Sequence, residues 1–286
     1  MNGEGQPTEL PKKIWFLWLQ GMDSAPEMVR ECYLSWVKVN PDWEVVVVTG
    51  ENLSEYLPKI ATKFDSSEPT KQALSDIVRI NLLKEYGGVW VDASLYCTKP
   101  LNNWLFEAMS SSWFAFQWPT RTKMISSWFL AATPGNYLVD RYAAAVNEYW
   151  SESNVAHSMA NLIYQKFCRL FIVTGLDILV RKSFLFTKEY LGLYPYFWFH
   201  YLFEVCYKSD ADFRAIHDQA RVYRADGPHT LLFSGLREPV TDELKKVIDT
   251  QSESGVYKLQ WQQKLPATEG STLEYLLQSN HKLYDY

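Results

Sequence analysis

Two carboxylates and a guanidinium stand in this chain where they could act together. Asp76 and Arg79 lie in Ser75-Asp76-Ile77-Val78-Arg79, and Asp92 ends Tyr86-Gly87-Gly88-Val89-Trp90-Val91-Asp92. Residues three apart share a helix face, so Asp76 and Arg79 are neighbours if the segment is helical. A surface ion pair has the same spacing and contributes little to stability. The other chemistry open to the pair is recognition of a polyhydroxylated ligand. A carboxylate accepts from hydroxyls, and a guanidinium donates in a fixed fork. Asp92 follows the apolar residues Val89, Trp90 and Val91. A carboxylate there is costly to bury unless it is paired, holds a cation or faces a cleft. In open α/β sheets ligands collect at the carboxyl ends of strands, which is where Asp92 would sit. The helix N-cap or turn acid is the structural alternative. Two residues on, Ser94 stands where a second acid would complete a cation site, and a neutral oxygen is the weaker ligand.

The elements that must position these groups are legible. Lys13 to Leu19 is a short apolar run suited to a buried strand, and Pro26 opens a helix with apolar residues at Met28, Val29, Cys32, Trp36 and Val37. Asn40-Pro41-Asp42 is a turn, and Val45-Val46-Val47-Val48 marks a second buried strand. Strand, helix, strand at these lengths is a parallel α/β unit. Thr70 to Tyr86 is the clearest helix, stopped by Gly87-Gly88, and Val89 to Asp92 is the next strand. Trp113–Gln117 and Ser127–Ala132 read as later strands, and Asn136–Trp150 as a helix after Pro134-Gly135. From Ser151 the pattern turns helical: 162–170, 175–185, the aromatic stretch 190–206, and 240–248. The segment after that is polar with weak periodicity. The expectation is one α/β domain over 1–286, with a core at 12–150 and a helical region and C-terminal wrap at 151–286.

Composition narrows the classes. The 286 residues carry a net charge of -5, which speaks against a nucleic-acid binder. Aromatic residues make up 16% of the chain, with 12 Trp and 18 Tyr, enough for a ring-rich core, a site of flat faces, or both. The four cysteines, Cys32, Cys97, Cys168 and Cys206, form no Cys-x-x-Cys pair and read as buried thiols of a reducing compartment. Met1–Pro11 is polar, and no uncharged apolar run is long enough for a membrane span. The expectation is a cytoplasmic protein. The stretch Tyr190–Tyr207 is the nearest approach to a span, but Pro195, His200 and Glu204 interrupt it, and it reads as a packed or interfacial helix.

Ile14-Trp15-Phe16-Leu17-Trp18-Leu19-Gln20-Gly21, the Ser75–Arg79 block and the Tyr86–Asp92 block together resemble the ordered blocks of glycosyltransferase family 32. Ala25-Pro26-Glu27, Asn40-Pro41-Asp42-Trp43, Asp92-Ala93-Ser94 and His281-Lys282-Leu283 resemble its bacterial capsular polysaccharide synthesis branch. The resemblance covers most of the first 135 residues and returns at the C-terminus. It implies a GT-A-type, Rossmann-like nucleotide-sugar-binding core with a sugar-binding region built around a DXD motif. It also lends roles to the matching positions. Trp18 would stack on the donor's base, with Trp15 competing for that role. Asp76 and Arg79 would hold the donor sugar hydroxyls. Asp92 is the first DXD acid, beside the donor ribose and the metal region, and Ser94 replaces the second. His281 resembles a C-terminal metal ligand, and Lys282 stands beside it.

The resemblance implies a hexosyltransferase moving a sugar from a nucleotide-diphosphate donor, UDP-linked in preference to GDP-linked, to a glycan acceptor with retention of configuration, in capsular or other cell-surface polysaccharide synthesis. The alternative is a non-catalytic nucleotide-sugar or glycan-binding protein of a polysaccharide assembly complex. Ser94 leaves three routes open for Mn²⁺ or Mg²⁺. The cation is held by Asp92, the diphosphate, water and His281; or it is absent and His281 and Lys282 neutralise the phosphates; or the protein is inactive. Asp226-Gly227-Pro228-His229 reads as a turn whose Asp226 and His229 could face the acceptor. The aromatic stretch from Tyr190 to Tyr207 could receive the acceptor's sugar rings, or the lipid end of a lipid-linked acceptor at the inner face of the membrane.

Overall fold

The computed structural model describes residues 9–64, 69–118, 124–151, 159–251 and 253–284, the side chains of 280–284 excepted. Five strands form the central sheet: β1 (Lys13–Leu17), β2 (Glu44–Val48), β3 (Gly88–Val91), β5 (Trp113–Gln117) and β6 (Ile125–Ala132), in the order β2-β1-β3-β6-β5. β1 pairs in parallel with both β2 and β3, while β6 runs antiparallel to β3 and to β5. A second, two-stranded sheet joins β4 (Leu95–Cys97) to β7 (Val256–Lys258), antiparallel.

The helices before β3 follow the sequence pattern. They are α1 (Glu27–Val39), the short α2 (Leu53–Tyr56) and α3 (Pro58–Lys63), and α4 (Lys71–Tyr86). Thr70 caps α4 by accepting from the Ala73 backbone N–H. Gly87 ends it at φ 64°, a conformation that costs a residue with a side chain far more than glycine. Gly88 opens β3 at φ 92°, and a Cβ there would lie 2.6 Å from the Lys13 carbonyl oxygen. The Gly-Gly pair is thus required twice, once to leave the helix and once to let β3 close on β1.

Alternation along the strands divides the core. Ile14, Phe16, Val89 and Val91 pack on the α1 face, where Met28, Cys32 and Trp36 are buried. Trp15, Leu17 and Trp90 pack on the other face with Ile77, Val78 and Leu82 of α4. Successive crossovers therefore lie on opposite faces, and the chain leaves β1 toward β2 before returning to β3 on β1's far side. That arrangement makes the carboxyl ends of β1 and β3 a topological switch point, the crevice where open α/β sheets bind ligands.

After β4 come α5 (Leu105–Ala108) and α6 (Tyr137–Tyr149), then the helical half: α7 (Met159–Val173), α8 (Asp177–Leu191), α9 (Trp198–Ser209), α10 (Ala211–Gln219), α11 (Asp226–Ser234), α12 (Asp242–Asp249) and α13 (Thr272–Tyr284). The α/β core with a largely helical second half is the architecture the sequence predicts. Three details differ. β7 and α13 arise in the segment that reads as weakly periodic. Gly227 and Pro228 belong to the first turn of α11 rather than to a free turn, because a first-turn proline forfeits no helical hydrogen bond. The stretch from Tyr190 is split by a break at 192–197, and Trp198, Phe199, Tyr201 and Phe203 of α9 are core residues. Trp198 stacks on Tyr149 of α6 at 5.3 Å between ring centroids.

The large exposed apolar face is instead the α7–α8 hairpin, with Phe167, Leu170, Val173 and Phe186 among its surface residues. No described helix is long and apolar enough to cross a membrane. All four cysteines are buried and unpaired with one another, as expected.

Candidate functional site

β3 delivers Asp92 to the switch point, and α4 delivers Asp76 and Arg79 to the same place. Arg79 is 4% exposed and lies between the two acids. One terminal nitrogen (Nη1) is 2.9 Å from Asp76 Oδ1 and donates to the Ser127 carbonyl at 2.7 Å. The other (Nη2) is 3.2 Å from Asp92 Oδ1 and donates to Ser75 Oγ at 3.0 Å. Its Nε–H has no hydrogen-bond partner among the described residues. The guanidinium carbon lies 5.1 Å from the Trp90 ring centroid and 5.7 Å from that of Phe199. The fork that could have reached a ligand is therefore spent inside the protein. Arg79 orients both carboxylates, and Asp76 Oδ2 accepts no hydrogen bond from the described residues.

Asp92 is held on every side. Its backbone N–H donates to the Trp128 carbonyl at 2.9 Å, and its Oδ1 accepts from Trp90 Nε1 at 3.1 Å. The Lys258 ammonium is 3.1 Å from Oδ2 and also donates to Ser94 Oγ at 2.7 Å. Burial raises the Asp92 carboxyl, but Lys258 and Arg79 outweigh it, and the net shift is below the ordinary carboxylate range. Asp76 goes the other way. Burial dominates, Arg79 offsets only part of it, and Asp92 adds repulsion, so its carboxyl rises to about 7. Two acids with titrations pushed apart share one cleft, a pattern that functional sites display more often than structural ones.

At the neighbouring strand end, Trp18 continues β1. Its ring is half-buried, and its Nε1 is buried with no hydrogen-bond partner among the described residues. A buried, unsatisfied donor in a cleft calls for an explanation, and a ligand acceptor is one. Trp261 meets it edge-on at 6.0 Å and is itself 46% exposed. Trp15, the competing ring, is fully buried, donates from Nε1 to the Gly87 carbonyl at 2.8 Å, and packs against Tyr56 and Tyr86. It is a core residue.

The helical half adds Tyr196, which is exposed and carries the Arg169 guanidinium 4.6 Å over its ring. Its phenol is raised, first by burial of its polar end and then by the charge of Asp76, while Arg169 pulls the other way. His229 packs against Trp118 and Trp128, at 4.9 and 5.5 Å between ring centroids, and its Nδ1 lies 2.8 Å from the Ala225 carbonyl. Trp128, whose carbonyl binds the Asp92 backbone, therefore links His229 to the site. Asp226 is turned instead to Arg224 in an exposed ion pair at 2.9 Å. A cavity of about 530 Å³ lined by Tyr56, Lys59, Lys63, Lys84 and Tyr86 lies toward the opposite end of β3, and neither Asp76 nor Asp92 lines it.

The described residues do not make a divalent-cation cage. Of the three side-chain oxygens an Asp-x-Ser loop could offer, Asp92 Oδ2 and Ser94 Oγ bind the Lys258 ammonium, and Asp92 Oδ1 accepts from Trp90 and pairs with Arg79. No group of three or more His, Cys, Asp or Glu side chains among the described residues is placed to hold a metal. The side chains of His281 and Lys282 lie outside the described residues.

Lys258, Trp261 and Arg169 carry no sequence signal that marks them as site residues, whereas Tyr196 falls in the aromatic stretch from Tyr190 that the sequence offers to the acceptor. Lys258 and Trp261 reach the site through β7, a three-residue strand paired with a segment more than 150 positions earlier. Only an observed pairing of those segments could have found them.

A model of the capsular polysaccharide synthesis protein family matches residues 3–173. Curated relatives include "O-glycosyltransferase braB" of Annulohypoxylon truncatum, 24% identical over 163 residues, covering 50% of this chain and 39% of that protein. "Inositol phosphoceramide mannosyltransferase 3" of Schizosaccharomyces pombe is 30% identical over 101 residues, covering 34% of this chain and 28% of that protein. The chain thus spans well under half the length of these relatives. Among solved structures, "PaToxG Glycosyltransferase" aligns over 76% of this chain and 89% of its own, with 15% identity and a TM-score of 0.37, a loose likeness. With a family match that extends from the N-terminus through the whole Asp76/Arg79/Asp92 centre, the chain belongs to the capsular polysaccharide synthesis protein family.

Proposed function

We propose that the protein is a glycosyltransferase that moves a hexose from a nucleotide-diphosphate sugar to a glycan acceptor, with retention, in capsular or other cell-surface polysaccharide synthesis. The observation that carries this reading is the fixed acid centre at the switch point: Asp76 and Asp92 locked by one buried arginine, beside an indole with an unpaired N–H. Asp76 Oδ2 is the acceptor left for a sugar hydroxyl. Trp18 and Trp261 form the platform for the base, and UDP is favoured because a small flat pyrimidine suits an edge-on indole pair. The protein is a single GT-A-like unit, in which 12–150 carries the acids and Trp18 of the donor site, while 151–286 adds Lys258 and Trp261 to it and shapes the acceptor side. Tyr196 on its Arg169 support offers a face to an acceptor sugar ring, and His229 lines the way in past Trp128.

The site offers no isolated nucleophile, since Asp92 is held by two cations. Front-face displacement follows: the departing diphosphate takes the acceptor's proton, and the protein contributes orientation and charge stabilisation. A lipid-linked acceptor is met at the membrane surface, where the apolar α7–α8 hairpin, with the exposed Lys166, Arg169 and Lys182 along it, suits anionic headgroups.

Incubation of the purified protein with UDP- and GDP-hexoses tests the reading, by release of nucleotide diphosphate and transfer to glycan. Asp92→Asn keeps the size of the side chain and is expected to lower turnover by at least ~100-fold, the usual scale for losing a preorganised charge at a reacting centre, with thermal unfolding reporting that the variant is folded. Turnover at the unaltered rate in that variant would remove Asp92 from the chemistry. Calorimetric binding of a nucleotide sugar with no turnover in any acceptor mixture would favour the non-catalytic alternative.

A further inference from the structure

We infer that the Lys258 ammonium takes the place of a divalent cation at this centre and supplies the positive charge that steadies the donor's diphosphate. The inference rests on the nucleotide-sugar reading and deepens it.

Four observations carry it. First, one ammonium donates to both Asp92 and Ser94, at 3.1 and 2.7 Å, which are the two side chains that would share a cation in an Asp-x-Asp loop. Second, Ser94 fits a lysine better than a metal. An ammonium is a donor that a neutral hydroxyl can accept from, whereas a divalent ion without the second carboxylate loses its strongest ligand. Third, positive charge is already in place. Arg79 and Lys258 both reach Asp92, and a doubly charged ion placed there would meet two fixed cations. Fourth, the position of Lys258 is built into the backbone. Leu95 and Lys258 are paired across the β4–β7 ladder, and Leu259 N–H donates to the Ser94 carbonyl at 2.8 Å. The same segment carries Trp261 to Trp18. Lysine, loop and indole pair are therefore one assembly.

An ammonium has three N–H donors, and Asp92 and Ser94 take two of them. The third is left for a phosphate oxygen. In the transfer, the bond between the sugar's anomeric carbon and the β-phosphate oxygen breaks and leaves its electron pair on that oxygen. The acceptor oxygen supplies the pair for the new glycosidic bond, and its proton passes to the departing diphosphate. Lys258 is in place to stabilise the charge that grows on the phosphate, without itself losing a proton.

Calorimetry tests this with UDP and GDP, and with uridine and guanosine as probes lacking phosphate, in EDTA and in Mn²⁺. The expected result is nucleoside-diphosphate binding to the unaltered protein that is the same in EDTA and in Mn²⁺. Lys258→Met should weaken diphosphate binding by about tenfold or more and leave nucleoside binding unchanged, because only the charge-assisted contact is lost. Lys258→Arg should recover part of the loss. The paired variant Ser94→Asp/Lys258→Met should bind diphosphate only with Mn²⁺, and thermal unfolding reports whether each variant is folded. EDTA abolishing binding to the unaltered protein, or an equal loss of nucleoside and diphosphate in Lys258→Met, would overturn the inference while the nucleotide-sugar reading stands. Absence of binding by either diphosphate under all conditions would overturn both.

Discussion

Asp76 and Asp92 lie on the same arginine, and the fold shifts their titrations in opposite directions, a contrast that can be measured. Asp76 has its folded value raised from 3.8 to about 7, chiefly by burial. Between those values the folded protein binds a proton that the unfolded chain has released, so stability falls as pH rises through that window and levels off above it. Asp92, with its folded value lowered, contributes stability that is present above 3.8 and lost as pH falls through its folded value. Asp76→Asn should therefore flatten the decline in stability between about pH 4 and pH 7, measured by urea denaturation across pH. Superimposable profiles for the two proteins would show that Asp76 does not titrate in that range. Spacing alone put Asp76 beside Arg79, and the ion pair is there. What spacing could not tell was that Arg79 would turn all its terminal donors inward, because Ser127 and Asp92 reach it from other elements.

The elements that carry the acids owe their form to local residues. Thr70 starts α4, Gly87 stops it and the valine run makes β2, so these were legible from the chain. Gly88 is the most exacting position. Gly88→Ala would force φ 92° on a residue with a side chain and push its Cβ against the Lys13 carbonyl, and is expected to cost about 2 kcal/mol or more. The readout is the midpoint of denaturant unfolding, and a variant as stable as the parent would show that β1 and β3 tolerate a wider spacing. β7 has none of these marks. Val256-Tyr257-Lys258 forms a strand only because Leu95-Tyr96-Cys97 offers an edge, a non-local pairing that a window of sequence does not contain.

At the scale of the molecule, the rings divide sharply between interior and surface. Much of the aromatic stretch from Tyr190 goes into the core between α6 and α9, while the α7–α8 hairpin leaves Phe167, Leu170, Val173 and Phe186 in solvent. A face this apolar, flanked by basic side chains on a chain of net charge -5, is expected to bind anionic vesicles. Co-sedimentation should show binding to vesicles containing phosphatidylglycerol, less to phosphatidylcholine alone, and a large loss when Phe167, Leu170 and Phe186 are changed to Ser. Equal partition of parent and variant would remove the hairpin from membrane contact.

The sequence by itself determined the parallel β1–β2 unit, the α4–β3 corner and the acids it carries, because caps, glycines and apolar periodicity act over a few residues. Only the tertiary structure decided what surrounds Asp92. Lys258, Ser127, Trp128 and Trp261 arrive from segments far apart in the chain, and the charge of a cleft is a sum over whatever folding brings within a few ångströms. Ser94 alone reads as a missing acid; with Lys258 against it, it is half of a seat for an ammonium.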